Sequence, residues 1–264
     1  MVSESDRLAT ISDLLRERPF ISARELRGLV GVSPATIRRD IEKLASSGLA
    51  HKVHGGVAAL EQSSPGAVAP ALPFVENRDI AVDAKKAIAR TAAELVRDGS
   101  LIIIHAGSTC FHFGCEIAQR NVRVFTNSMP VAAYLNEYGT CQLTIGGGDL
   151  HREPGVLYDP TREDYSFYAS QFFVGALGVS SEGLLESNPL LVRFINEICG
   201  QANEIIVLVD SRKFEAAPPT VVLPLHRVNR LITDDGLSDR AAQMLDEEGV
   251  NYMVANVSES SIDR

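Results

Sequence analysis

The hydrophobic positions of the first sixty residues recur with a helical period, and those of the remainder alternate between helical and strand periods. Leu8, Ile11 and Leu15 predict a first helix over about 4–18 that stops at Pro19. Ser22 can cap a second helix carrying Leu26, Leu29 and Val30, and Gly31 then permits a tight turn. Ser33 caps a third helix with Pro34 in its first turn, where a missing amide costs nothing, and Gly48 ends it. On that third helix Ile37, Ile41 and Leu44 share one face, Thr36, Arg39 and Lys43 the opposite one, and Arg38 lies at the flank. Two helices about a glycine turn make a helix-turn-helix. Leu49 to Val53 and Val57 to Leu60 follow as a strand pair turned by Gly55-Gly56, which predicts a wing.

Residues 61–73 are rich in Pro, Ser, Gly and Ala without any apolar period, and read as a linker. Beyond Phe74, helices are expected at about 79–98, 109–119, 129–137, 188–201 and 238–248. Between them lie strand-like runs at Leu101–Ile104, Val122–Phe125, Gln142–Ile145, Phe172–Val174, Ile205–Val209, Val221–Leu223, Arg230–Ile232 and Tyr252–Val254. Alternation of this kind predicts a mostly parallel sheet covered by helices. The expected plan is a small winged helix-turn-helix at 1–60 and one α/β domain at 74–264. No internal repeat is visible.

Composition changes this picture in two ways. Up to residue 57 there are nine basic and seven acidic side chains, which leaves 16 basic and 27 acidic for the rest of a chain of net charge −9. A mildly basic head on an acidic body is the charge plan of one polyanion-facing module and one that is not. No apolar run approaches the ~18 residues of a membrane span, and the polar start MVSESDRLAT is no secretory signal, so the expectation is a cytoplasmic protein without membrane contact. Cys110, Cys115, Cys141 and Cys199 form no C-x-x-C pair and have no histidine pair at metal spacing. They read as reduced core residues, with Cys110 the one candidate catalytic thiol; no metal and no cofactor is expected.

The third helix is the candidate reader of double-stranded DNA. Ser33 and Ala35 stand at its start, and Thr36, Arg39 and Lys43 can reach base edges in the major groove, where Arg and Lys meet guanine. Arg38, Lys52 and His54 are better placed for phosphates or the minor-groove rim, or are plain surface and turn residues. The body carries three polar loops at predicted strand ends: His105-Ala106-Gly107-Ser108-Thr109, Thr126-Asn127-Ser128, and Gly146-Gly147-Gly148. Loops of this type aim amides and hydroxyls at helix starts, attract phosphate, and gather beyond the carboxyl ends of strands. Lys213 either supplies a cation to that phosphate or is a surface lysine. Asp210 either bonds hydroxyls, orients Lys213, or caps a turn.

The stretch ISARELRGLVGVSPATIRRDIEKLASSGLAHKVHGGV, with its V-S-x-x-T-I-R-R-D core followed by V-H-G-G, resembles the DNA-binding region of the DeoR family of bacterial repressors. The strand-GST-helix, TNS, diglycine loop and VDSRKF segments extend the resemblance over nearly the whole chain. AGSTCFHFGCEI, TNSMPVAAYL and SSEGLLESNPLL look most like its ascorbate-utilisation branch. The resemblance implies a repressor of carbohydrate catabolism genes with no catalytic residues. It implies a sensor related in fold to ribose-5-phosphate isomerase, a homo-oligomer (dimer or tetramer), a two-fold operator, and a phosphorylated sugar, sugar acid or polyol-derived effector. The chain departs from the family at His105, where an aspartate is usual, so a hydroxyl contact there is either made by a neutral imidazole or lost to the core. His151, Arg152, Tyr158 and Asp159 stand in a segment without family counterpart and either touch effector or belong to an exposed loop.

Overall fold

The structure is a computed structural model that describes residues 7–8, 10–11, 14–15, 20–46, 50–53, 56–59, 74–162, 165–215 and 220–258. They fall into two compact units, one within residues 1–70 and the other within 71–264. The expected stops at Pro19 and Gly48, the turn residue Gly55, and the 61–73 linker lie outside the described residues.

In the first unit Leu8, Ile11 and Leu15 are helical and pack with Leu26, Ile37, Ile41 and Leu44 into one core. A strand absent from the sequence reading, β1 (Phe20–Ser22), leads into helix α1 (Ala23–Val30). Ser22 Oγ accepts from the Glu25 amide at 3.1 Å, so the predicted cap is formed. Gly31 ends α1 in the left-handed region at φ 69°, its amide donating to the Arg27 carbonyl at 3.0 Å. Leu29 is exposed and takes no part in the core. Helix α2 spans Pro34–Ser46.

The wing is three-stranded. β2 (Ala50–Val53) pairs antiparallel with β3 (Gly56–Ala59), and β1 pairs with the other edge of β3. Gly56 stands opposite both Ser22 and Val53, so it is a strand residue and not half of the turn expected at Gly55-Gly56. A central strand has a neighbour on each side there, and the buried Val57 beside it fixes which face turns inward.

The second unit is built on seven parallel strands in the order β15-β14-β12-β9-β4-β5-β6. They are β4 (Leu101–Ile104), β5 (Arg123–Thr126), β6 (Gln142–Ile145), β9 (Ala169–Val174), β12 (Ala202–Leu208), β14 (Arg230–Asp234) and β15 (Tyr252–Ala255). Runs such as Leu-Ile-Ile-Ile at 101–104 suit strands covered on both faces. The chain winds one way through β4, β5 and β6, then returns beside β4 as β9 and winds the other way. The reversal between β4 and β9 is a topological switch point, where adjacent connections part and leave a crevice beyond the carboxyl ends.

One face of the sheet packs under helices α4 (Val82–Glu94), α5 (Ser108–Ile117) and α6 (Met129–Tyr138), the other under α7 (Pro189–Ile198) and α8 (Asp239–Glu247). The helix expected over 79–98 is α4, which starts at Val82 after a break at Asp79–Ala81 with Ala81 left-handed at φ 51°; a short helix absent from the sequence reading, α3 (Phe74–Arg78), precedes the break. At the break the Asn77 carbonyl accepts from the Ile80 amide at 3.3 Å and from the buried Lys85 ammonium. Val221–Leu223 was expected in the main sheet. It belongs to β13 (Thr220–Leu223), which pairs with β11 (Gly183–Glu186) in a separate antiparallel sheet with β10 (Gly178–Ser180). The 149–158 segment forms a hairpin, β7 (Asp149–His151) with β8 (Val156–Tyr158).

Asp40 holds the first unit together in a way periodicity does not reveal. It lies on the buried face of α2, 1% exposed, and accepts from Arg7 Nε at 2.8 Å and Nη2 at 3.0 Å. Removing one partner of such a pair strands the other charge. Asp40→Ala is expected to destabilise the first unit by about 3 kcal/mol while the second keeps its transition, as read by calorimetry of the whole chain.

Candidate functional site

Two sets of side chains stand out, one in each unit. On α2, Ser33 Oγ accepts the Thr36 amide at 3.2 Å and lies 2.9 Å from the Thr36 hydroxyl. The predicted cap is therefore made, and it engages the Thr36 side chain as well. Ala35, Arg38, Arg39 and Lys43 are exposed, whereas Ile37, Asp40, Ile41 and Leu44 face the core. The helix thus turns an apolar back inward and a basic front outward, as its period predicts. Lys52 lies on β2 with its side chain outside the described residues, and His54 lies wholly outside them.

In the second unit the three predicted loops close β4, β5 and β6, which are neighbours in the sheet. Gly107 precedes α5 at φ 124° with no side-chain cap, and a Cβ at that position would meet open space. The first amides of α5 are thereby left to an external acceptor, the arrangement that favours phosphate at a helix start. Ser108 and Thr109 are buried in the same turn. Gly146 is buried against Asn127, and Gly147 is exposed with the Arg162 guanidinium over it.

Not every predicted contact is free to meet a ligand. Thr126 Oγ1 donates to the Ile104 carbonyl at 2.7 Å and accepts from the Ser128 amide at 3.0 Å, so this hydroxyl clamps β4 to the β5 loop. Ser128 Oγ caps α6 through the Val131 amide at 3.4 Å. The Asp210 carboxylate, 1% exposed, makes no side-chain cap and accepts from Arg212 Nε at 2.7 Å and Nη2 at 3.0 Å. Asn127 is buried with both amide atoms unpartnered among the described residues, and so is His105 Nε2. His105 is a strand-end residue stacked on Phe194 at 5.2 Å, and burial pushes its pKa down to about 4. Tyr158 gives its hydroxyl to Glu197 at 2.7 Å, Asp159 accepts from the Thr161 amide and hydroxyl, His151 is half-buried, and Arg152 is exposed. Cys110 is buried, and that burial lifts its thiol to about 12, which removes it as a nucleophile at neutral pH.

Lys85 and Arg212 complete the set, and the sequence reading passed over both. Lys85 is fully buried on α4, bonded to the Asn77 carbonyl and, at 3.3 Å, to its side-chain oxygen. Burial brings its pKa down to about 8; nearby Asp210 opposes this, while Arg212 and Lys213 add to it. Burial likewise lowers Lys213, whose partners are Asp210 and Glu186. Lys85, Arg212 and Lys213 thus all act on Asp210 and Lys213 also on Glu186, which is itself lifted by burial while it accepts from the Ser187 and Asn188 amides at 2.8 and 3.0 Å. The overlooked signal was spacing: Lys85 precedes Ile88, Ala89 and Ala92 by three, four and seven residues, which puts it on their buried stripe. A cavity of about 530 Å³ lined by Glu94, Arg97, Gln171, Glu204 and Arg230 lies at the amino ends of the strands, away from this cluster.

Residues 80–235 match the DeoR C terminal sensor domain, and residues 7–63 match the DeoR-like helix-turn-helix domain. The chain belongs to the DeoR family. Within the family it is similar to the HTH-type transcriptional regulator UlaR of Escherichia coli O127:H6, with 29% identity over 253 residues that cover 96% of this chain and 99% of the relative. The UlaR protein of Shigella flexneri serotype 5b is similar to the same extent. These relatives agree with the branch that the AGSTCFHFGCEI stretch of this DeoR-family chain resembles. Among solved structures, ribose 5-phosphate isomerase A from Methanocaldococcus jannaschii aligns with 49% of this chain and 53% of its own at TM-score 0.36 and 23% identity. No described helix of this DeoR-family chain is long and apolar enough to cross a membrane.

His105 gives the sensor unit a pH signature. Its folded pKa, about 4, lies below the ordinary value of 6.5, so between these values the unfolded chain binds the extra proton and the folded one does not. Stability is complete above about 6.5 and falls by about 3 kcal/mol as pH drops towards 4. His105→Phe is expected to flatten that part of a urea-unfolding pH series.

Proposed function

We propose that this DeoR-family regulator is a repressor of carbohydrate catabolism genes that reads operator DNA with α2 and senses a phosphorylated sugar, sugar acid or polyol-derived metabolite at the carboxyl ends of β4, β5 and β12. The observation that carries the sensing half is the grouping of Lys85, Arg212 and Lys213 around the buried Asp210 at the end of β12. Three cations against two committed carboxylates leave charge that a phosphate neutralises. The DNA half rests on the exposed Arg38, Arg39 and Lys43 front of a capped helix. In this reading Thr36, Arg39 and Lys43 reach base edges, Arg38, Lys52 and His54 lie towards phosphates, and Ser33 and Ala35 form the helix start.

A two-fold operator calls for a homo-oligomer, a dimer or a pair of dimers, with half-sites one or more turns apart. Effector coupling of about 1–3 kcal/mol alters operator affinity about 5–150-fold. Binding is proposed in preference to turnover because the buried carboxylates near the cluster are occupied, Asp210 by a guanidinium and Glu186 by two amides. Interconversion of pentose phosphates by the purified protein would favour an isomerase reading instead.

Arg39→Ala is expected to weaken binding to the protein's own promoter fragment by about 1–3 kcal/mol and to relax preference at one base pair, as read by fluorescence anisotropy at fixed salt. Lys213→Ala is expected to leave operator affinity unchanged and to lose the rise in melting temperature that inorganic phosphate gives the unaltered protein.

A further inference from the structure

We infer that the groove at the amino ends of the sheet is where a second copy of this chain docks about a two-fold axis, through Glu94, Arg97, Glu204 and Arg230. The inference deepens the reading of the chain as a regulator of a two-fold operator and rests on it for the symmetry.

The groove exists because the central strands outrun their cover. β12 has seven residues and β9 six, against four or five in the other strands of the sheet. β12 runs four residues before Ile206 meets Arg230, the first residue of β14, and β9 runs two before Gln171 meets Ile102. Gln171, Glu204 and Arg230 stand two residues before Phe173, Ile206 and Ile232, members of the cluster under α4, so they share its face. Helix α4 stops at Glu94 and leaves that stretch bare. Gln171, 8% exposed, forms the floor: its side-chain amide donates to the Leu95 carbonyl and to Glu204 Oε2, each at 3.2 Å. The cavity that results measures about 530 Å³.

Charge decides what fits it. Glu94, Arg97 and Glu204 are exposed and Arg230 is half-buried, and none of the four has an ion pair among the described residues. Asp98, next to Arg97, is already taken by Arg120 at 2.7 Å. Two cations and two anions left open in one groove cancel. The chain beyond residue 57 carries 16 basic and 27 acidic side chains, so two such bodies repel each other over most of their surface. A balanced patch escapes that repulsion and is its own complement. A two-fold axis sets Glu204 against Arg230 of the partner subunit and Arg230 against the partner's Glu204, in one isologous contact. A small molecule is the poorer fit, because ligand pockets are mostly apolar with a few placed polar groups, and this groove is lined by charged ones. Tyr168 adds an anchor. It is 59% exposed just before β9, and its hydroxyl donates to the Ala202 carbonyl at 3.3 Å, at the start of β12. Tyrosine and arginine are the side chains that protein interfaces favour. The contact lies at the opposite ends of the strands from Lys85 and Lys213, so a second copy and an effector do not compete for one place.

The test is sedimentation equilibrium of the full chain without DNA. The unaltered protein is expected to self-associate at least to a dimer, and more weakly as salt rises. Arg230→Glu alone and Glu204→Arg alone each set like charges across the axis twice. Each is expected to raise the dissociation constant of one association step by about a hundredfold or more. An equimolar mixture of the two variants restores both opposite-charge contacts and is expected to recover that step at near its original affinity, which a fold defect cannot do. Should either variant fail to fold, Tyr168→Ser takes its place and is expected to weaken the same step about tenfold. A monomeric unaltered chain, variants that associate as the unaltered chain does, or a mixture that does not recover overturns the surface. An unaltered chain that associates as described yet ignores its promoter fragment supports the surface and overturns the regulator reading instead.

Discussion

The winding reversal between β4 and β9 is the constraint on which the sensor unit depends. Where successive connections leave a sheet in opposite directions, no helix covers the gap between the two strand ends, and polar groups collect there. In this chain buried charge gathers at the neighbouring end of β12. Lys85 comes in from α4, Asp210 and Lys213 from the end of β12, and Thr126 ties β4 to β5 so that the loops keep their spacing. Asp234 adds a second brace, accepting from the Ser211 amide and hydroxyl at 2.7 and 2.9 Å and from the Gly236 amide at 3.1 Å, which locks the β12 end to the β14 end. The side chains that fix the loops are thus distinct from those left to meet a ligand.

The DNA-facing unit solves a different problem with the same physics. A short helix must be held by one face so that the other can be spent on a partner. Ile37, Ile41 and Leu44 supply apolar burial, and the Asp40–Arg7 pair adds a directional bond to the first helix, which fixes rotation about the axis of α2 as apolar packing alone does not. The exposed arginines keep their angle to the wing because the buried carboxylate beside them cannot turn without losing two hydrogen bonds.

Much of this was legible in the sequence. Caps at Ser22 and Ser33, the Gly31 turn, the buried triplet of α2 and the parallel α/β core follow from spacing and residue type, which are local properties. Asp40 and Lys85 were passed over because a charged residue on an apolar stripe reads as noise until its partner, thirty-three residues away in the first case, is known. Thr126 was taken for a ligand contact because its hydroxyl could serve either purpose, and only the register of β4 with β5 shows that two backbone groups already claim it. The second antiparallel sheet escaped for a related reason: β10, β11 and β13 are three or four residues each, and their pairing is set by contacts distant in the chain. The break before α4 also needed a distant partner, since the Asn77 carbonyl is met by a lysine eight residues on.

The cation cluster offers a source of free energy for signalling. Beneath the larger effect of burial, Arg212 and Lys213 both hold down the pKa of Lys85, and Arg212 that of Lys213, while Asp210 opposes both, so like charges repel within the cluster. A dianion placed among them converts that repulsion into attraction. Any rearrangement that brings the cations closer is then favoured in the bound state and disfavoured in the empty one, which is the differential affinity that an allosteric change requires.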